Sequence, residues 1–369
     1  RLMQTFGIFA AGYLARPLGG IIMAHFGDLL GRKKMFTLSI FMMALPTLIM
    51  GLLPTYAQIG LWAPILLLLM RVIQGAAIGG EVPGAWVFVS EHVPARNTGY
   101  ACGTLTAGLT AGILLGSLVA TLINSVYSAE EVASYAWRIP FLLGGVFGLF
   151  SVYLRRWLHE TPVFAEMQQR KALAEELPLR AVLRDHRGPI VLSMLLTWML
   201  SAGIVVVILM TPALLQSIYH ISPTDSLKAN SLAIVLLSLG CIGAGSLADR
   251  FGAGRVFVVG SLMLLVSSWA FYHSLPTRPE LLFPLYAVTG LCVGVIGAVP
   301  YVMVKAFPAA VRFSGLSFSY NVAYAIFGGL TPMAVTGLLK VSPMAPAYYV
   351  AVLCVVGFSV GLYLLANKR

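Results

Sequence analysis

The chain has 369 residues, of which 59% are hydrophobic and only 10% charged, with a mean hydropathy of +0.89. That balance excludes a soluble globular domain. The net charge of +11 fits a membrane topology and calls for no nucleic-acid partner.

In hydrocarbon the backbone must satisfy its own hydrogen bonds, and the apolar runs here are near 20 residues rather than alternating ten-residue segments. The sequence therefore predicts an all-α polytopic membrane protein. Eleven spans are expected, centred near Tyr13, Ala44, Ile73, Ala111, Gly148, Ala202, Ser238, Leu265, Gly294, Ala325 and Val356. The first carries Arg16 and ends in the turn His25-Phe-Gly-Asp28-Leu-Leu-Gly31-Arg32-Lys33-Lys34. The third holds Arg71, Gln74 and Glu81, and the fourth repeats Gly108, Gly112 and Gly116 at the spacing that lets helix backbones approach. A polar stretch from about Arg155 to Gly188 follows the fifth span. It reads as a cytoplasmic tether in which 172–177 forms an amphipathic surface helix. The sixth span carries Trp198 with Thr197 and Ser201. The seventh ends in a second turn, Ser246-Leu-Ala-Asp249-Arg250-Phe-Gly252-Ala-Gly-Arg255. The ninth has Tyr301 after Pro300, and the tenth has Tyr320, Asn321 and Tyr324 before Gly328.

Asp28 and Asp249 lie 221 residues apart in matching Asp-Gly-basic turns, so the chain reads as internally duplicated. Duplicated helix sets are characteristic of transporters whose halves rock around a central site. Eleven spans divide as six plus six if one helix precedes Arg1, and the absence of an initiator Met points the same way; a first helix is expected to be missing. With the Asp28 turn cytoplasmic, the loops of that side collect seventeen of the 24 Lys and Arg residues. The other side keeps only Arg1, Arg138, Lys228, Arg278 and Lys340. This satisfies the positive-inside rule and puts the C-terminus in the cytoplasm. A basic inner face also suits anionic lipid.

Cys102, Cys241, Cys292 and Cys354 lie singly within spans and read as packing residues, neither disulfides nor metal ligands. No Walker lysine motif, His-Glu-x-x-His or Gly-x-Ser-x-Gly occurs. An enzyme or ATP-driven pump is not expected. The energy source is read as an ion gradient, with no cofactor and no metal.

The first turn resembles the loop between the second and third helices of the major facilitator superfamily, Gly-x-x-x-Asp-Arg-x-Gly-Arg-Lys. It keeps Asp28, Gly31, Arg32 and Lys33 but has Ala24 and Leu29 at two pattern positions. The second turn keeps Gly245, Asp249, Arg250 and Gly252 and replaces the Arg-Lys run by Ala253 and Gly254. The resemblance implies a major facilitator fold of two six-helix halves with the first helix absent. Residues 1–157 would be helices 2–6, 158–188 the cytoplasmic linker, and 189–369 helices 7–12. It also implies that each Asp caps and pairs with helix ends of its own half in one state of the cycle. Asp28, Arg32, Lys33, Asp249 and Arg250 would then gate without touching substrate, as two gates of unequal strength.

Three further stretches resemble the metabolite:proton symporters that carry proline and betaine, α-ketoglutarate, citrate or shikimate. They are Arg71-Val-Ile-Gln74-Gly75-Ala-Ala-Ile-Gly79-Gly80-Glu81, Trp137-Arg138-Ile-Pro140-Phe141 and Leu158-His-Glu160-Thr-Pro162-Val-Phe164. The resemblance implies alternating-access symport in a bacterial cytoplasmic (inner) membrane by a monomer.

Glu81 is the only acid placed well inside an apolar span, and Arg16 and Arg71 are the only bases there. Each costs at least ~2.5 kcal/mol on insertion scales, so each must face protein or a wet cavity. From Arg71, Gln74 and Glu81 fall at about −60° and −80° around the helix, on one face, with about 15 Å of rise between Arg71 and Glu81. That separation leaves Arg71 for a substrate carboxylate and Glu81 for proton exchange. The alternative is that these charges pair with neighbouring helices and only fix packing. Arg71, Gln74, Arg16, Trp198, Tyr301, Tyr320, Asn321 and Tyr324 are the candidate substrate contacts, the aromatics being suited to caging a quaternary ammonium. With two buried bases, a proline- or betaine-like zwitterion is preferred to a di- or tricarboxylate such as α-ketoglutarate or citrate. A non-transporting sensor on the same fold is the other alternative. The expected partners are the small carboxylate or zwitterion, protons and the lipid bilayer.

Overall fold

The computed structural model describes residues 2–169 and 178–367, with side chains from Leu14 onward. Eleven long helices are present among the described residues. They are α1 (Leu2–Leu30), α2 (Arg32–Leu52), α3 (Trp62–His92), α4 (Thr98–Val126), α5 (Arg138–Arg155), α8 (Arg187–Ser217), α9 (Pro223–Phe251), α10 (Ala253–Ser274), α11 (Pro279–Ala306), α12 (Ala309–Leu339) and α13 (Ala345–Ala366). Two short helices, α6 (Pro162–Gln169) and α7 (Pro178–Asp185), lie in the linker. Ten of the long helices are apolar enough to cross a membrane, and α1 spans 29 residues. Every expected span centre falls inside one of the eleven. The expected helix at 172–177 lies outside the described residues.

The duplicated turn is visible in the backbone. Gly31 joins α1 to α2 at φ 120°, and Gly252 joins α9 to α10 at φ 85°. These two glycines also stand 221 residues apart, and each occupies a region that strains any residue with a Cβ. Elsewhere small residues set helix spacing. A Cβ on Gly79 would collide with the Arg16 carbonyl, and one on Gly80 with Met23, so α1 and α3 touch backbone to backbone. Gly108, Gly112 and Gly116 do not behave this way: a Cβ on any of them meets open space. That stripe is exposed, whereas Gly99 and Gly103, earlier on α4, press against Gly245 and Cys241.

Prolines inside the helices leave carbonyls that other residues must satisfy. Pro83 brings no N–H to Gly79, and the Gly79 carbonyl instead accepts from Asn321 Nδ2 at 2.7 Å and Ser317 Oγ at 3.2 Å. Ahead of Pro212 the helix relaxes into a π-helical turn, Val205–Met210. There the Val207 carbonyl accepts the Tyr286 hydroxyl at 2.6 Å, and the Val206 carbonyl accepts the Thr211 hydroxyl at 2.8 Å.

The helices group into two compact units. One comprises Arg1–His92, Leu115–Arg187 and Phe307–Asn321; the other comprises Val93–Leu114, Gly188–Ala306 and Val322–Arg369. In the first, Met50, Leu53 and Met70 form a core with Leu66, Ile73 and Phe141. Arg138 closes the end of α2 there by donating to the carbonyls of Gly51 and Leu53 at 3.0 and 2.6 Å. In the second, the cores of α9, α10 and α11 are packed around Leu237, Phe257 and Ile296, all fully buried. The first turns of α4 thus group with helices of the second sequence half, and the first turns of α12 with helices of the first.

Candidate gating and substrate site

Asp28 sits in the last turn of α1 and Arg32 in the first turn of α2, four residues apart across Gly31. Their side chains are 0% and 1% exposed and meet at 2.9 Å. Arg32 also reaches Glu91, at the end of α3, at 3.4 Å, and Glu91 takes Arg312 at 2.9 Å and the Thr161 hydroxyl at 2.7 Å. The remaining Arg32 donors go to the carbonyls of Gly27 at 3.0 Å and Ala309 at 2.7 Å. Buried charges persist only when paired and hydrogen-bonded, and here two acids alternate with two arginines. Glu160 completes the cluster by accepting from the backbone N–H groups of Lys33 and Thr161. Lys33 Nζ donates to the Arg156 carbonyl at 3.3 Å. Within this unit Asp28 Oδ2 accepts the Ser314 backbone N–H at 2.9 Å, in the first turn of the segment that begins at Arg312.

The second turn does the same work with fewer charges. Asp249 accepts the backbone N–H groups of Gly99 at 2.8 Å and Tyr100 at 2.7 Å, at the start of α4. Arg250 is exposed. Each aspartate therefore meets a helix N-terminus, whose unpaired N–H groups and positive dipole end attract a carboxylate. The expectation that these caps fall within one half is corrected: Ser314 is 286 residues from Asp28, and Gly99 is 150 residues from Asp249. The helix starts of the other half supply the N–H groups.

On α3, Arg71 Nη1 approaches Gln74 Oε1 at 3.5 Å, and Gln74 Nε2 donates to Thr47 of α2 at 2.6 Å. Glu81 accepts from Ser39, also on α2. The face carrying Gln74 and Glu81 thus looks toward α2. Glu81 does not stand alone, as the sequence reading has it. Arg155 grips it with two contacts, 2.6 and 3.2 Å, both side chains being about 15% exposed. Arg155 ends α5 and so counts as a loop residue in sequence. Its guanidinium turns inward over the Phe36 ring at 3.6 Å and donates to the Phe36 carbonyl at 2.5 Å, because a half-buried carboxylate and a half-buried cation offset each other's desolvation. No carboxylate among the described residues pairs with Arg71.

The structure brings Arg16, Tyr320 and Asn321 together. Arg16 Nε donates to Asn321 Oδ1 at 3.0 Å, and its guanidinium lies 5.1 Å from the Tyr320 ring. Asn321 Nδ2 holds the carbonyls of Gly79 and Ser317, so its amide is engaged on both sides. In the other unit, the Trp198 indole N–H donates to the Tyr349 hydroxyl at 3.1 Å and its ring stacks on Phe327 at 4.6 Å; Tyr349 in turn meets Thr331 at 2.9 Å. Tyr324 opens the π-helical turn Tyr324–Gly328 that carries Phe327. Tyr301 lies apart from that cluster, one turn before the exposed Lys305, which donates to it at 2.7 Å. Glu91, Arg155, Glu160, Thr161 and Arg312 were not singled out from the sequence. The signal for Glu160 and Thr161 lay in the Leu158–Phe164 stretch, and for Glu91 in an acid closing an apolar run. No group of His, Cys, Asp and Glu among the described residues is arranged to hold a metal.

Residues 2–332 match the Major Facilitator Superfamily. A Staphylococcus aureus (strain COL) protein named for proline/betaine transport is 33% identical, over 99% of this chain and 79% of its own length. A citrate-proton symporter of Klebsiella pneumoniae is 29% identical, over 98% of this chain and 82% of its own. The shikimate transporter of Escherichia coli (strain K12) is 31% identical, over 91% and 78%. Among solved structures, the proton:xylose symporter XylE superposes with a TM-score of 0.78 at 18% identity, covering 98% of this chain and 85% of XylE. The E. coli fucose:proton symporter FucP does so with a TM-score of 0.74 at 15% identity, covering 98% and 90%. At those identities the two structures establish the fold alone. Matching family, repeated Asp-Gly turns and membrane-length helices converge: the chain belongs to the major facilitator superfamily and is a multi-pass membrane transporter, not an enzyme.

Proposed function

We propose that the chain is a proton-coupled symporter of a small carboxylate-bearing metabolite in a bacterial inner membrane, its C-terminus cytoplasmic, working by alternating access of the sequence halves 1–157 and 189–369. The observation that carries this reading is Arg71, a half-buried guanidinium on a membrane helix, reached by Gln74 and by no carboxylate among the described residues. A half-buried cation of this kind gains from an anion, and a substrate carboxylate supplies one. The three named relatives, for proline/betaine, citrate and shikimate, take substrates that share that group. Arg16 is held by Asn321, so one base rather than two is offered to the substrate. This favours a zwitterion such as proline or betaine over a di- or tricarboxylate. Trp198, one of whose faces Phe327 covers, and Tyr324 are kept as candidate aromatic contacts for an ammonium group. Tyr301 and Tyr320 complete the candidate set, and Asn321, its amide engaged by Arg16, Gly79 and Ser317, supports Arg16 rather than reaching substrate.

Proton coupling falls to the Glu81–Arg155 pair. Protonating Glu81 removes the charge that holds Arg155 and frees α5 from α3, so a proton and a packing change are linked. Asp28, Arg32 and Lys33 act as one gate and Asp249 with Arg250 as the other. The test is a binding and uptake panel of proline, betaine, α-ketoglutarate and citrate on wild type, Arg71→Gln and Glu81→Gln. Proline or betaine should stabilise the wild type and not Arg71→Gln, and Glu81→Gln should lose the pH dependence of uptake. Stabilisation by citrate alone refutes the zwitterion preference, and unchanged proton coupling in Glu81→Gln refutes the role of Glu81.

A further inference from the structure

The linker helix α7 lies against α1 and leaves a groove of about 650 Å³ between them. One wall is Ile21, Ile22 and Phe26 with His25, and the other is Leu179 and Leu183. These apolar side chains stay open: Ile22 is 48% exposed, Phe26 43% and Leu183 42%. The opposite side of α7 is used for docking, with Pro178 and Val182 buried. Along the rim run Arg180, Arg184 and Arg187, at helical spacing of four and three residues. Asp185 neutralises one of them, meeting Arg184 at 2.8 Å, and the Arg184 hydrogen bond holds the Asp185 carboxyl below the usual range. Among the described residues Arg187 spends only its Nε, on the Leu183 carbonyl at 3.3 Å. Arg180 has no ion pair among the described residues.

A cationic rim above open apolar walls matches an amphiphile with an anionic head. Position sets its source. Arg187 begins the span α8, so the rim stands where a membrane helix leaves the polar layer. The α1 wall lies four to nine residues before the helix end at Leu30, about 6–14 Å deeper at 1.5 Å per residue. A water-soluble anion would use the arginines and leave the walls wet. We infer that this groove is a binding site for an anionic phospholipid of the adjoining leaflet, its phosphate on Arg180 and Arg187 and one acyl chain along Ile22, Phe26 and Leu183. Guanidinium forks suit phosphate oxygens, and a lipid held here ties the linker to the first described span.

The full chain, purified in a maltoside detergent, is titrated with dioleoyl phosphatidylglycerol, dioleoyl phosphatidylcholine and inorganic phosphate, with thermal unfolding and native mass spectrometry as readouts. Phosphatidylglycerol should bind more tightly than phosphatidylcholine. Each arginine removed should cost about fivefold in affinity, so R180Q/R187Q should lose about 25-fold and approach the phosphatidylcholine value. Leu183→Asp should weaken both lipids, and Arg255→Gln, an exposed arginine elsewhere, should keep the preference. Equal affinity for the two lipids overturns the inference, as does stabilisation by inorganic phosphate alone, a full preference in R180Q/R187Q, or an equal loss in Arg255→Gln. If the double variant does not fold, the wild type decides it: one retained phosphatidylglycerol from an equimolar lipid mixture supports the site, and equal adducts refute it.

Discussion

Neutralising the two turn aspartates separately should release the two proposed gates to very different extents. Asp28→Asn keeps an oxygen for the Ser314 N–H but strips the charge from an ion pair whose members are 0% and 1% exposed. Arg32 is left with Glu91 at 3.4 Å, a carboxylate it shares with Arg312. Breaking a buried pair costs about 3–5 kcal/mol, and at 1.4 kcal/mol per decade the latched-to-released ratio should fall by roughly 100- to 4,000-fold. Asp249 engages two backbone N–H groups and no basic side chain among the described residues. Asp249→Asn therefore loses part of a cap and of its dipole interaction, about 1–2 kcal/mol, or roughly tenfold. The assay is maleimide labelling of a single cysteine beside each gate, Ser314→Cys for the first and Thr98→Cys for the second. Both positions are buried, and the four native cysteines, also buried, are replaced by alanine. Labelling at 314 should accelerate at least a hundredfold in Asp28→Asn, and at 98 about tenfold in Asp249→Asn. Equal accelerations, or the reverse order, would refute the claim that the buried ion cluster makes the first gate the stronger.

Two further outcomes follow from the packing. Asn321→Leu leaves the Gly79 carbonyl with only Ser317 and should lower stability by about 1–2 kcal/mol. Pro83→Ala restores the missing helical donor, so the double variant should recover part of that loss in thermal unfolding; strict additivity would count against the account. Gly245→Ala presses a methyl onto the Gly99 backbone and should cost about 1–3 kcal/mol. Gly112→Ala, which meets open space, should be neutral or stabilising by up to about 1 kcal/mol; a large loss there would mean that the stripe is packed after all.

The spans were legible because hydrocarbon demands long apolar helices, and each expected centre lies in one. The duplicated turn was legible too, since Asp28, Gly31, Asp249 and Gly252 carry the backbone conformation in their own chemistry. Partners were not legible. Arg155 and Arg312 sit at helix ends and look like loop charges until tertiary packing turns Arg155 onto Glu81 and Arg312 onto Glu91. Asn321 looks like a polar ligand in an apolar run, and only its nearness to Pro83, 238 positions earlier in the chain, explains why its amide is spent on a carbonyl. The Gly108–Gly116 spacing promised close contact, yet spacing fixes which face a residue occupies and not what lies opposite.

The two capping aspartates form an isologous pattern: the turn of the first copy grips the helix start of the second, and the turn of the second grips the helix start of the first. Such reciprocity is what a two-fold dimer of single repeats makes automatically, because one surface then meets its own image. Fusing two copies into one chain lifts that constraint, since a change in one turn is no longer duplicated in the other. The buried ion cluster around Arg32, set against the bare cap at Asp249, is the divergence that fusion permits. It lets the two ends of one latch be tuned apart.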